Sequence, residues 1–240
     1  TRRDIEMESL ETAAPSEVIG KGSAKIIAIH GWMGDHRLFE PTFPLWDRDL
    51  VSVAFMDCRG YGRRGDVGGT FTVEEIADDV RAAAHSLGWA RYHVIGHSMA
   101  GMSAQLLAAE AADEIVSAIL VASVPASGAI ITEEQRALLR DAIIDPGARK
   151  ALIDVNTGRT KDDGWLAALR DLSVSGTKGD VLEAYMASWT GTDLSKRVEG
   201  TNKPMLALLG ELDPGASADR IKTSVGSWFS KLDIVPLPET

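Results

Sequence analysis

Short, largely apolar runs recur along the chain at 26–29, 50–56, 94–95, 116–122, 204–209 and 232–237, broken only by Ser52, Ser117 and Asp233. Each is too short for a typical helix, and most lack the in-out alternation of a half-exposed strand. That is the pattern of strands buried on both faces of a parallel sheet. Between the first four lie stretches with helical character. A helix over 37–46 is interrupted by Pro41 and Pro44. Another opens at the capping box Thr72-Val73-Glu74-Glu75, runs to about Leu87 and is stopped by Gly88. A third, over 102–112, carries Leu106, Leu107, Ala108 and Ala109 with almost no polar face, which predicts that it is buried. Residues 5–11 alternate loosely and 16–20 form a second extended piece, together suggesting an antiparallel hairpin at a sheet edge. Strands and helices alternating in this way predict a parallel sheet with right-handed crossovers.

The rhythm breaks after residue 122. Four helical segments, at 133–144, 148–155, 163–172 and 179–189, follow without a convincing buried strand. Asp145-Pro146-Gly147, Asn156-Thr157-Gly158 and Ser175-Gly176 separate them with breaker chemistry. Helices inserted between two strands predict a cap over 128–200, set on a core made of 1–127 and 201–240. Trp165, Tyr185, Met186 and Trp189 lie in it. They either pack the cap against the core or line a substrate pocket. The strand pattern resumes at 204–209, and a helix is expected around 216–229 before the last strand.

Composition narrows the partners. The chain has 240 residues, 45% of them hydrophobic and 25% charged, and no apolar run approaches the roughly 18 residues of a membrane span. A net charge of −10 without a basic stripe argues against nucleic acid as a partner. The expectation is a small-molecule substrate, with no nucleic acid, no membrane, no cofactor and no metal, and with the oligomeric state left open. The single cysteine, Cys58, excludes an internal disulfide, and no signal peptide opens the chain, so a cytoplasmic location is expected.

The candidate chemistry centres on His93-Val94-Ile95-Gly96-His97-Ser98-Met99-Ala100-Gly101. Strand residues lead into one serine and a helix leaves it. Gly96 and Ala100 flank Ser98 at minus two and plus two, where crossing backbones leave room only for small side chains. This is the G-x-S-x-G nucleophile elbow with alanine at its last position. Such a turn lifts the serine Oγ clear of the sheet and aims the next amide, Met99 N–H, at the same point. The competing reading is a serine N-cap on a buried helix. Cys58 has no base partner in view and reads as a buried, inert thiol. The turn from Asp57 to Gly62 reads as structural.

Four motifs in order, His30-Gly31-Trp32, Asp57-Cys58-Arg59-Gly60-Tyr61-Gly62, the Ser98 elbow, and Gly210-Glu211-Leu212-Asp213, make the chain resemble the α/β-hydrolase superfamily. In particular it is similar to the capped esterase, C–C hydrolase and perhydrolase branch. The resemblance implies an α/β fold with a mostly parallel eight-stranded sheet, helices on both faces and a helical cap after the sixth strand. It makes Ser98 the nucleophile, Met99 and Trp32 the oxyanion-hole donors and Asp213 the acid. Ser123 occupies the alternative position for the acid, and Glu211 is left to solvent. His30 reads as a support for the oxyanion loop, and His97 as a packed residue facing away from the base's place. His36, His85 and His93 read as loop, helix surface and strand start. The general base of the family is a histidine after the last strand, so it is expected just beyond Thr240. The activity implied is hydrolysis of a small, largely apolar carboxylic ester or related acyl compound. C–C bond hydrolysis or perhydrolysis on the same triad, and non-catalytic binding of a small ligand, are the alternatives.

Overall fold

The computed structural model describes residues 14–215 and 218–239. Seven strands among the described residues form one sheet: β1 (Glu17–Gly20), β2 (Ala24–Ile29), β3 (Val51–Met56), β4 (Tyr92–His97), β5 (Ile115–Val121), β6 (Met205–Gly210) and β7 (Leu232–Leu237). Their order is β1-β3-β2-β4-β5-β6-β7. All neighbours are parallel except β1, which runs antiparallel to β3 with Glu17 opposite Phe55. The implied sheet of eight strands is thus seven among the described residues, and the extended piece expected over 5–11 lies outside them.

Local sequence explains most of the helices, and also where they depart from expectation. The expected helix at 37–46 is a 3-10 segment, His36–Leu45, because Pro41 and Pro44 withhold amides that an α-helix would use. Asp35 caps its start by accepting from Arg37 N–H at 2.9 Å. Helix α1 (Val73–Ser86) begins as the sequence suggests, with Thr72 Oγ1 accepting from Glu75 N–H at 3.2 Å. The reciprocal half of the box is displaced. The Glu75 carboxylate accepts from Thr70 and Phe71 N–H, at 3.1 and 2.8 Å, and ties down the loop ahead of the cap. Helix α2 (Ala100–Glu110) is buried from Ala100 through Ala108, as its apolar circumference demands.

Four helices, α3 (Glu133–Ile144), α4 (Pro146–Asn156), α5 (Asp163–Gly176) and α6 (Gly179–Gly191), fill the interval between β5 and β6, followed by the short α7 (Ser195–Val198). The helix expected around 216–229 is two short pieces, α8 (Ala218–Thr223) and α9 (Val225–Trp228). The larger core joins one sheet face to α1, α2 and α6 through Ile27, Val94, Leu120, Val80, Leu107 and Leu182. Burying each such aliphatic side chain stabilises the fold by about 1.5–3 kcal/mol. On the other face Phe39, Phe43 and Trp46 of the 3-10 segment cover Ala28, Val53, Phe55 and Ile95. Among the described residues no helix is long and apolar enough to cross a membrane.

Candidate active site

Parallel strands deliver their C-terminal ends to one edge of the sheet. Ile29 of β2 lies beside Gly96 of β4, and His97 aligns through Val121 of β5 with Leu208 of β6. The segments that follow these strands, at His30, Asp57, Ser98, Ser123 and Asp213, therefore share that edge, where ligands of open α/β sheets are bound.

Ser98 makes the turn from β4 to α2 with φ +54°, a left-handed conformation that a residue with a Cβ adopts at a cost of about 1–2 kcal/mol. The turn is clamped. Ser98 N–H donates to Val121 O at 2.9 Å, and its carbonyl accepts from Gly101 and Val124 N–H at 3.0 and 3.1 Å. Gly96 is required by this crossing, since a Cβ there would stand 2.4 Å from Ala100 O. An N-cap role does not describe this serine: the N-terminal cap of α2 is Met99, in helical conformation and without a side-chain cap bond.

Met99 is fully buried, and its N–H has no hydrogen-bond partner among the described residues. The same holds for Trp32 N–H. Everything around Trp32 is fixed: Tyr61 Oη donates to its carbonyl, and its indole Nε1 donates to Leu182 O at 2.7 Å. Burial pushes the Tyr61 phenol well above its ordinary pKa, so it remains a donor. Gly31 brings this loop onto the elbow. A Cβ at Gly31 would lie 2.8 Å from His97 Nδ1 and 3.0 Å from Ser98 Cβ.

The histidines divide by their bonds. His30 Nε2 accepts from Cys58 N–H at 3.0 Å, which leaves Nδ1–H to donate to Gly31 O at 2.7 Å. Burial lowers its pKa, and with both nitrogens occupied the ring is a strut. His97 is held at about 4, by burial first and then by the nearby His30, and it packs on the Gly31 side of the elbow. His93 Nδ1 pairs with Ser117 Oγ near the start of β4, and His85 is exposed on α1. His36 corrects the sequence reading of a loop residue. It is buried, with its ring Nδ1 2.9 Å from Asp57 Oδ2 and its N–H 2.7 Å from Oδ1. Ser16 Oγ and Arg63 N–H also donate to Asp57 Oδ2. Asp35, His36 and Asp57 bring ligand-type atoms within 4.8 Å of one another. Their bonds account for the cluster, because Asp35 is paired with Arg37 and Asp57 with Ser16, His36 and Arg63. The network braces the segments that follow β2 and β3 against each other. Cys58 is buried and its thiol is pushed well above its ordinary pKa by burial.

Asp213 lies three residues past the end of β6 in a tight turn, donating its N–H to Gly210 O and accepting from Gly215 N–H at 2.7 Å. Two strand spacings, about 10 Å, separate β6 from β4. Glu211 is exposed. Ser123 donates to Val124 O and accepts from Gln105 Nε2.

Sequence reasoning missed Gln105. It is fully buried in α2 and bonds Gly101 O, Ser123 Oγ and Val124 O through Nε2 and Ala126 N–H through Oε1. A lone amide in an otherwise apolar helix was the available signal.

A family model described as the alpha/beta hydrolase family matches residues 26–234, nearly all of the sheet and the helices between its strands. The chain belongs to the alpha/beta hydrolase family. Among curated relatives of this alpha/beta hydrolase, a human serine hydrolase-like protein is 28% identical over 79 residues, which are 32% of this chain and 38% of that protein. Fluoroacetate dehalogenase from a Burkholderia species is 24% identical over 113 residues, 45% of this chain and 37% of that one. The matches thus span little more than a third of those relatives' length. In fold, a hydrolase from Oleispira antarctica superposes with TM-score 0.83 at 15% identity, covering 97% of this chain and 88% of the other. The enol-lactonase of Burkholderia xenovorans LB400 gives 0.77 at 22% identity, over 92% and 86%.

Proposed function

We propose that this alpha/beta hydrolase is a serine hydrolase of small, largely apolar carboxylic esters or related acyl compounds. The observation that carries the reading is Ser98 at φ +54°, clamped in a strand-to-helix turn with the unpaired amide of Met99 directly after it. Strain of this kind persists when the surrounding structure enforces it, and it exposes a hydroxyl for attack. A serine hydrolase-like protein and an enol-lactonase among the similar proteins support acyl chemistry.

In this reading Ser98 Oγ forms a bond to the ester carbonyl carbon while its proton passes to an imidazole oriented by Asp213. The carbonyl oxygen becomes an oxyanion received by Trp32 and Met99 N–H. The C–O bond to the alcohol then breaks, the alcohol leaves with the proton, and water releases the acid from the acyl-serine. None of the described histidines stands in the base's place, since His30 and His36 are bonded elsewhere and His97 lies on the Gly31 side. Residues 128–200 act as the cap. An open depression of about 410 Å³ lies between Ser123, Pro125, Ile130, Gly215 and Ile221, beside the turn that holds Asp213.

The test is hydrolysis of 4-nitrophenyl acetate with and without added imidazole, compared between the wild type and Ser98→Ala. The reading expects a Ser98-dependent rate that imidazole raises. Equal rates for the two proteins under both conditions would refute it.

A further inference from the structure

Trp189 of α6 has an indole N–H that is buried and has no hydrogen-bond partner among the described residues. The residue is 8% exposed. Among the described residues only Arg64 Nε shares that condition, and the other two nitrogens of Arg64 are bonded to Asp57 O and Asp79. Nothing comparable compensates Trp189. A buried donor without an acceptor carries its full desolvation penalty, so a native structure that keeps one calls for an explanation.

Its position supplies one. The Trp189 ring stands edge-on to the Trp32 ring, with centroids 5.6 Å apart. Neighbouring bonds hold this part of α6: Trp189 O accepts from Ala129 N–H at 3.1 Å, and Ser188 Oγ accepts from Val73 N–H at 3.0 Å. The indole is therefore presented next to the oxyanion loop by a fastened helix.

Topology then assigns the side. In the sheet, β2 with Trp32 lies on one side of β4 and β6 with Asp213 on the other. An alcohol that leaves with a proton from an Asp213-oriented base departs toward β6. The carbonyl oxygen and the acyl chain are then both left to the β2 side, where Trp32 and Trp189 lie. We infer that Trp189 Nε1–H is a specificity-determining donor for an acceptor oxygen carried on the acyl part of the substrate. The favoured class is esters of alkoxy- or oxo-substituted short acids rather than of plain alkanoic acids. This rests on the acyl-transfer reading above for the direction of the acyl chain.

Two isosteric pairs isolate the oxygen: 4-nitrophenyl methoxyacetate against the butyrate, and 4-nitrophenyl 4-oxopentanoate against 4-methylpentanoate. Binding is measured by calorimetry on Ser98→Ala protein, which requires no turnover, with and without Trp189→Phe. The inference expects at least one oxygen-bearing ester to bind about tenfold tighter than its isostere, the size of one hydrogen bond, and the preference to vanish in Trp189→Phe. In ¹⁵N-labelled protein that retains Trp189, the same ester should shift the Trp189 indole proton downfield, a readout independent of whether Trp189→Phe folds. Equal binding within both pairs, or an unmoved indole resonance, overturns the inference. Turnover that does not depend on Ser98, with the Trp189 preference intact, would instead overturn the acyl-transfer reading and leave the donor in place.

Discussion

The Trp32 indole donates to the main-chain carbonyl of Leu182 at 2.7 Å, fastening the loop with the proposed oxyanion donor to helix α6. Both groups are buried, so the bond is sheltered from water. Substituting Trp32→Phe keeps an aromatic ring but removes this anchor and reduces the contact with Trp189. Urea denaturation should show a loss of about 1–3 kcal/mol. Esterase kcat should fall more than KM rises, because the displaced amide acts on the transition state. Unchanged stability and kcat would show that the anchor is idle.

Gly31→Ala tests the contact between the two loops. Its added Cβ would fall 2.8 Å from His97 Nδ1 and 3.0 Å from Ser98 Cβ, so ring or elbow must shift by a few tenths of an ångström. The expected outcome is a melting temperature near that of the wild type and a loss of acylation rate of about tenfold to a hundredfold, since small misplacements of reacting groups are heavily penalised. Stopped-flow acylation reads it.

Acid stability follows from His97. Its folded pKa is lowered to about 4, against about 6.5 when unfolded. Below pH 6.5 the unfolded chain takes up a proton that the folded site refuses, so stability declines as pH falls from about 6.5 to 4. The size is on the order of 3 kcal/mol. His97→Gln should flatten that part of the profile in urea titrations at stepped pH. Asp57 acts lower. Burial raises its pKa, but His30, Ser16 and the amides of His36 and Arg63 together hold it below the ordinary value. Its contribution is present above about pH 4 and is lost as pH falls further.

The central strands β2, β3 and β4 were legible because burial writes nearly continuous apolar runs, and the Ser98 turn because its crossing demands Gly96 and Ala100 at fixed offsets; β7 carries a similar run with no residue buried, so there the run marked a strand but not its burial. What escaped depends on distance in the chain. His36 meets Asp57 across 21 positions, and Gln105 meets Val124 across 19, and no local pattern marks either pair. The 3-10 form of His36–Leu45 was written in Pro41 and Pro44, whose effect on the whole segment is stronger than an interruption.

Gln105→Leu strands several partners at once. It removes the bonds to Gly101 O, Val124 O and Ala126 N–H, leaving the loop after β5 without its internal support. A destabilisation of about 2–4 kcal/mol is expected, with one or more buried groups left unsatisfied. Chemical denaturation checks it, and a change within 0.5 kcal/mol, the usual range for a surface substitution, would contradict the role given to this side chain.

Peptide mapping by mass spectrometry after reaction with an alkyl fluorophosphonate, with imidazole present, tests Ser98 as the nucleophile. One phosphonyl group is expected on the peptide containing Ser98, and no addition in Ser98→Ala. A phosphonyl group on another residue, or labelling that persists in Ser98→Ala, would contradict it.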